Sequence, residues 1–257
     1  MLLSHTSGHE YDWLHPHLLK WRQSRNEAIW SGPTVEAKSA LPLVFEPGTS
    51  FRYSGGNDWA GKLLETLSGE TLEHLMTERI FKPLGVGDFS FFPSEKPGMG
   101  ERLATLSTLG DAGEGPLVDA EGFNPLFGAT DCMGGGGGYA SAETYFAFLQ
   151  AVMRRDERLL KAESYEELFR PQLDERCKAA LNEYVNSSPV HTQTLALGLP
   201  REVEKTWSFA GMVCEPGVEG RMSEGTYFWG GVPSITWVSG LRERFERDLL
   251  TCGSTWM

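Results

Sequence analysis

A chain of 257 residues, 40% hydrophobic and 23% charged, is long enough to bury roughly three quarters of its unfolded surface and needs no disulfide or metal staple. Its 35 acidic against 23 basic residues leave a net charge of −12, which argues against nucleic acid as a main partner, because phosphate binding runs on clustered Lys and Arg. No apolar run approaches the ~20 residues of a membrane span, the start from Met1 has neither a basic region nor an apolar signal core, and Cys132, Cys177, Cys214 and Cys252 form no metal or disulfide pattern. Composition therefore predicts a soluble, acidic, cytoplasmic globule.

Along the chain, the first 50 residues read as loops and short helices around Trp13, Trp21 and Trp30. Glu46-Pro47-Gly48-Thr49 is turn chemistry, followed by an extended Phe51-Arg52-Tyr53. A helix is predicted over 58–67 with Trp59, Leu63, Leu64 and Leu67 on one stripe. A second is capped by Thr71, turns Leu72, Leu75, Met76 and Ile80 inward, and is stopped by Pro83 and Gly85. The Gly- and Pro-rich stretch 93–138 is too long for a structureless loop in a compact domain, so part of it must cover a surface or line a cleft.

Ser141 opens a strong helix carrying Tyr145, Phe148, Leu149, Val152 and Met153, which runs into a solvated charge run at 154–158; a further helix covers Tyr165 to Arg170. Residues 207–213, 225–229 and 234–238 read as strands, being rich in aromatic and β-branched side chains, and 241–250 reads as a short charged helix. Helices first and antiparallel strands later give an α+β fold.

Two motifs invite chemistry that their context does not support. Gly134 to Gly138 with Ala140 contains a formal G-x-G-x-x-A, but no good strand precedes it and no Lys-Ser or Lys-Thr follows. His5, His9, His15 and His17 cluster early, yet Ser7-Gly8 interrupts the helical spacing and His15-Pro16-His17 reads as extended, with its two rings on opposite sides.

A more specific pattern joins several segments: Leu2-Leu3-Ser4-His5-Thr6-Ser7-Gly8; residues 47–61 from Pro47-Gly48 through Tyr53-Ser54-Gly55-Gly56; Arg79 to Gly85; the glycine run with Tyr139-Ala140-Ser141; and Tyr227-Phe228-Trp229-Gly230-Gly231-Val232. In this order they resemble the serine β-lactamase-like esterases and transesterases, above all the fungal acyltransferases that esterify polyketide products. The resemblance runs from Leu2 to about Val238 and implies a β-lactamase/transpeptidase-like fold of helical region plus antiparallel sheet. The whole of 1–257 is then one such domain: mainly helix and loop to about 195, strands over about 196–240, and a divergent tail.

The chemistry implied is attack of a serine on an ester or thioester carbonyl, with a lysine one helical turn later and a tyrosine moving the proton. The family tyrosine falls on Tyr53. Because a phenol has an ordinary pKa near 10, it needs a neighbouring cation to act as a base at pH 7. Trp229, Gly230, Gly231 and Val232 fall on the strand that edges the acyl site, with the Val232 N–H as oxyanion donor. Read without the resemblance, Tyr53 is a strand-end aromatic and Trp229 to Val232 a strand with a glycine bulge.

The sequence departs from the pattern in two places. Gly55 stands where the wider family has Asn, with Asn57 two places on, and no serine in the chain has Lys at the third position after it; Ser94-Glu95-Lys96 is one residue short. The expectation is thus a fold lacking its first strands and its nucleophile helix. Its family function would be acyl transfer to, or hydrolysis of, a small hydrophobic polyketide-like ester. The resemblance implies an acyl thioester on a carrier protein as donor and implies no cofactor. The competing expectations are a catalytically dead binding module and a β-lactamase or peptidase.

Overall fold

The computed structural model of the protein describes residues 1–109, 116–120, 126, 128–231 and 236–239. Residues 1–12 are held by backbone bonds to the segment that precedes and carries Tyr53: Gly48 donates to Thr6 O at 2.8 Å, Arg52 to His5 O at 3.0 Å, and Tyr11 to Tyr53 O at 3.4 Å. The turn at Glu46 closes as its sequence predicts, with Thr49 N–H donating to Glu46 O at 3.1 Å and Gly48 at φ +81°, where a side chain would be strained.

Helix α1, Pro16–Ser24, starts on a proline at its first position, and His15 caps it by accepting from His17 N–H. This corrects the extended reading of His15-Pro16-His17: the two rings lie 5.5 Å apart on one end of a helix. Arg22 of α1 makes a buried ion pair with Asp12 at 2.8 Å and donates to the carbonyls of Ala37 and Lys38 in α2, Val35–Ser39.

Helix α3, Gly56–Ser68, follows the Tyr53 segment and ends on Gly69 in the left-handed conformation. Of its predicted stripe, Leu63, Leu64 and Leu67 are exposed, whereas Trp59 is half-buried and donates its indole N–H to Ser39 O at 3.2 Å; Gly56, Asp58 and Gly61 are buried. The reason is close approach, since a Cβ on Gly56 would stand 2.3 Å from Leu2 O. Helix α4, Leu72–Met76, is capped by Thr71, passes through a wider π turn over Thr77–Phe81 and finishes as α5, Lys82–Leu84, with Gly85 as its stop; Pro83 sits inside this last turn.

The stretch after Pro93 is not structureless. It holds two short 3₁₀ turns and a hairpin of β2, Ser107–Leu109, with β3, Leu117–Asp119. Between it and the next helix, β4, Tyr139–Ala140, pairs with β1, Phe89–Ser90. Helix α6, Ala142–Met153, begins at Ser141, whose Oγ accepts from Thr144 N–H, and α7 covers Ala162–Phe169. Two further helices, α8 (Glu175–Val185) and α9 (Pro189–Leu195), lie where no element is predicted, capped by Asp174 and Ser188.

A four-stranded antiparallel sheet closes the described fold: β5 (Lys205–Ser208), β6 (Gly211–Cys214), β7 (Thr226–Gly230) and β8 (Thr236–Ser239), in that order. The predicted single strand 207–213 is instead a hairpin, in which Ser208 pairs with Gly211 and Gly211 takes φ +132°. Period-two alternation gives the sheet two dry faces. Trp207, Met212 and Phe228 pack with Leu181, Tyr184 and Val185 of α8 and with Phe51, whereas Val213 and Tyr227 pack with Tyr165 and Phe169 of α7. Among the described residues no helix is long and apolar enough to cross a membrane. The expected helix at 241–250, and Ser234 and Ile235 of the third expected strand, lie outside the described residues.

Candidate active site

Tyr53 sits where the opening segment, the start of α3 and the sheet meet. Its ring is edged by His5 at 5.1 Å, Tyr11 at 5.2 Å and Trp229 at 4.9 Å. The Trp229 indole N–H donates to the phenol oxygen at 3.4 Å across 176 residues of sequence. Burial pushes the phenol above its ordinary range; the indole hydrogen bond works against this, and the Asp58 charge adds to it. A phenol in this setting keeps its proton at pH 7.

His5 brackets the tyrosine. Its carbonyl accepts from Arg52 N–H, its Nδ1 lies 3.3 Å from Ser54 Oγ, and its backbone holds φ +55°. The ring is fully buried, which lowers its pKa to about 3 and keeps it neutral. Its Nε2 has no hydrogen-bond partner among the described residues. In the same opening segment, Glu10 is 3% exposed, faces Arg52 at 3.6 Å and is pushed up to about 7 by burial, with Arg52 and Tyr184 pulling the other way.

An aromatic shelf runs outward from the phenol. Tyr11 stacks on Trp13 with centroids 5.4 Å apart and meets Trp30 edge-on at 5.6 Å. Trp13 is the exposed end of the shelf. On the sheet side Trp229 meets Trp207 edge-on at 4.9 Å, and the Trp207 indole donates to Leu3 O at 3.1 Å.

Of the residues singled out in the sequence, the structure brings Tyr53 and Trp229 together. Gly230 ends β7 opposite Thr236, Gly231 is exposed just beyond it, and Val232 lies outside the described residues. Asn57 does not fill the place that Gly55 leaves open. A Cβ on Gly55 would instead meet Ser39 Oγ at 2.6 Å and Asp58 Oδ2 at 3.0 Å. The glycine run is not a phosphate cradle: Gly135 N–H donates to Asp58 Oδ1 at 2.7 Å, and Gly137 N–H to Met133 O.

Sequence reasoning missed His5, Tyr11, Ser54 and Asp58 as parts of the site. The sequence shows only that Ser4, His5, Thr6, Ser7, Glu10 and Asp12 crowd one short segment; that all are buried is seen only in the structure.

A helical region packed on an antiparallel sheet is the architecture of the β-lactamase/transpeptidase-like class of fold. The chain belongs to the Beta-lactamase family, which it matches over residues 1–241. It is 31% identical to lovastatin esterase of Penicillium rubens, over 92% of this chain and 59% of that one. It is 29% identical to monacolin J acid methylbutanoyltransferase of Aspergillus terreus, over 92% of this chain and 57% of that one. Among solved structures, the LovD6 mutant of simvastatin synthase from Aspergillus terreus matches with a TM-score of 0.81 and 30% identity, over 93% of this chain and 56% of that one. The chain thus spans little more than half the length of the relatives it matches.

Proposed function

We propose that this chain carries the tyrosine-and-strand side of a serine-type acyl-transfer site, working on small hydrophobic esters of polyketide-like character by transesterification or hydrolysis. The observation that carries the reading is the Tyr53–Trp229 pair, two residues placed by family resemblance that meet at 3.4 Å. The relatives' names support the substrate class, being an esterase and a methylbutanoyltransferase of statin-type compounds. In this reading Tyr53 moves the proton of the attacking or leaving oxygen, and the strand from Trp229 to Val232 edges the oxyanion. The shelf from Tyr53 to Trp13 offers the flat apolar face that such an acceptor needs. The donor is an acyl thioester, on a carrier protein or free.

The phenol needs a cation to release its proton near neutral pH. Among the described residues the groups acting on it are Trp229 and Asp58, neither of them a cation. This observation favours a second reading, a ligand-binding module without turnover. One experiment separates the two. The chain is incubated with a fluorophosphonate and with a methylbutanoyl thioester, and intact mass and ester turnover are followed beside binding of a hydrophobic lactone by tryptophan fluorescence. Lactone binding that W229A weakens at least about tenfold is expected under either reading, and its absence removes both. Turnover that falls at least about a hundredfold in Y53F supports catalysis. Binding with neither turnover nor a serine adduct supports the module.

A further inference from the structure

The glycine run at 134–138 plays no part in the acyl chemistry above, yet it is built onto the helix that follows Tyr53. Gly135 N–H donates to Asp58 Oδ1 at 2.7 Å. A Cβ on Gly134 would stand 2.8 Å from Asn57 O, and one on Gly137 would stand 2.7 Å from Met133 Cβ. Close approach of backbones therefore explains these glycines. The second oxygen of the same carboxylate reaches the other loop: Asp58 Oδ2 lies 3.0 Å from the point where a Cβ of residue 55 would be, two residues past Tyr53. Beside that point Ser39 Oγ is buried without a hydrogen-bond partner among the described residues. Asp58 is 2% exposed. The groups whose charge or hydrogen bonding it shares are Lys38 of α2, the Tyr11 and Tyr53 phenols, and the Gly135 amide.

We propose that Asp58 is a positioning residue: one of its oxygens anchors the glycine loop, the other packs beneath Gly55, and the carboxylate thereby ties the glycine loop to the turn two residues past Tyr53. The proposal rests on the reading of Tyr53 as the proton-transfer group. Burial raises the carboxyl to about 6, so the charge at pH 7 is held against a desolvation cost. An asparagine would accept the same amide hydrogen bond without that cost. What it would not supply is the negative charge that both phenols feel, and which raises the pKa of each.

The test uses the full chain, with hydrogen exchange read by mass spectrometry over 134–138 and phenol ionisation read by ultraviolet difference. The Tyr53 titration is isolated by subtracting the matching Y53F protein. In D58A, exchange in the glycine loop becomes at least about tenfold faster, the loss expected for a hydrogen bond to a charged acceptor. In D58N the amide acceptor is restored and protection returns to within about threefold of wild type, while the Tyr53 titration moves to lower pH. Unchanged exchange in D58A overturns the anchor. An unmoved Tyr53 titration in D58N overturns the electrostatic half, and this arm stands even where D58A does not fold. Neither readout depends on acyl transfer, so an active Y53F protein would remove the tyrosine's role and leave the Asp58 anchor standing.

Discussion

At the scale of single residues, the site is a set of polar groups held out of water, and their titrations pull in opposite directions. Burial pushes the Glu10 carboxyl up from its ordinary 4.5 to about 7. The folded state therefore binds the proton more tightly, and the associated stability is present below about 4.5 and lost as pH rises through about 7. The whole shift is worth roughly 3 kcal/mol. Relative to wild type, E10Q should gain stability as pH rises through this window, which urea titrations at a series of pH values will show. A wild-type/E10Q difference that stays constant across the window would contradict the burial argument.

His5 has the reverse sign. With a folded pKa of about 3 against 6.5, its contribution is present above 6.5 and lost as pH falls towards 3. H5N, which suits a positive φ, should flatten that acid limb. Tyr53 and Trp229 were legible in the sequence only because flanking segments fixed their place in a known pattern. His5 and Asp58 were not, because nothing in a single sequence says that a polar residue is buried.

At the scale of elements, helix α3 shows that a correct period does not by itself say which face is buried. Its leucine stripe is amphipathic in the expected sense, but its first turns press against the Leu2 backbone and the glycine loop, so small residues face inward. Gly56→Ala should cost about 1–3 kcal/mol through overpacking against Leu2 O, although alanine is the better helix former. Leu67→Lys should change stability by less than about 0.5 kcal/mol. Urea midpoints of the two variants check this directly, and the reverse ranking would mean that the leucine stripe, not the glycine face, is packed in the core.

Other elements were legible in part. The stripe of α8, Cys177, Leu181, Tyr184 and Val185, has helical spacing behind an Asp174 cap and was hidden only by the charged residues between. The turn at Phe209-Ala210 lacks the Asn-Gly chemistry of tight hairpins, so the two strands it joins read as one.

At the scale of the whole molecule, the candidate site is a junction rather than a pocket within one element. Trp207 of β5 is the side chain that joins its parts. Its indole donates to Leu3 O in the opening segment, and its ring lies 4.8 Å from His5, 5.7 Å from Phe51 and 4.9 Å from Trp229. It is also a core residue of the face that the sheet turns to α8. Two substitutions separate these roles. Trp207→Phe keeps most of the ring and deletes the hydrogen bond, which should cost about 1 kcal/mol and release residues 1–5 to faster amide exchange. Trp207→Ala removes the packing as well and should cost roughly 3–5 kcal/mol. Because the sheet, the opening segment and the Tyr53 loop all meet at Trp207, the loss should appear as a single shifted transition, with far-ultraviolet circular dichroism and tryptophan fluorescence coinciding. Two separated transitions in Trp207→Ala would mean that the sheet and the Tyr53 region fold independently, and that the geometry of the pair does not depend on this junction.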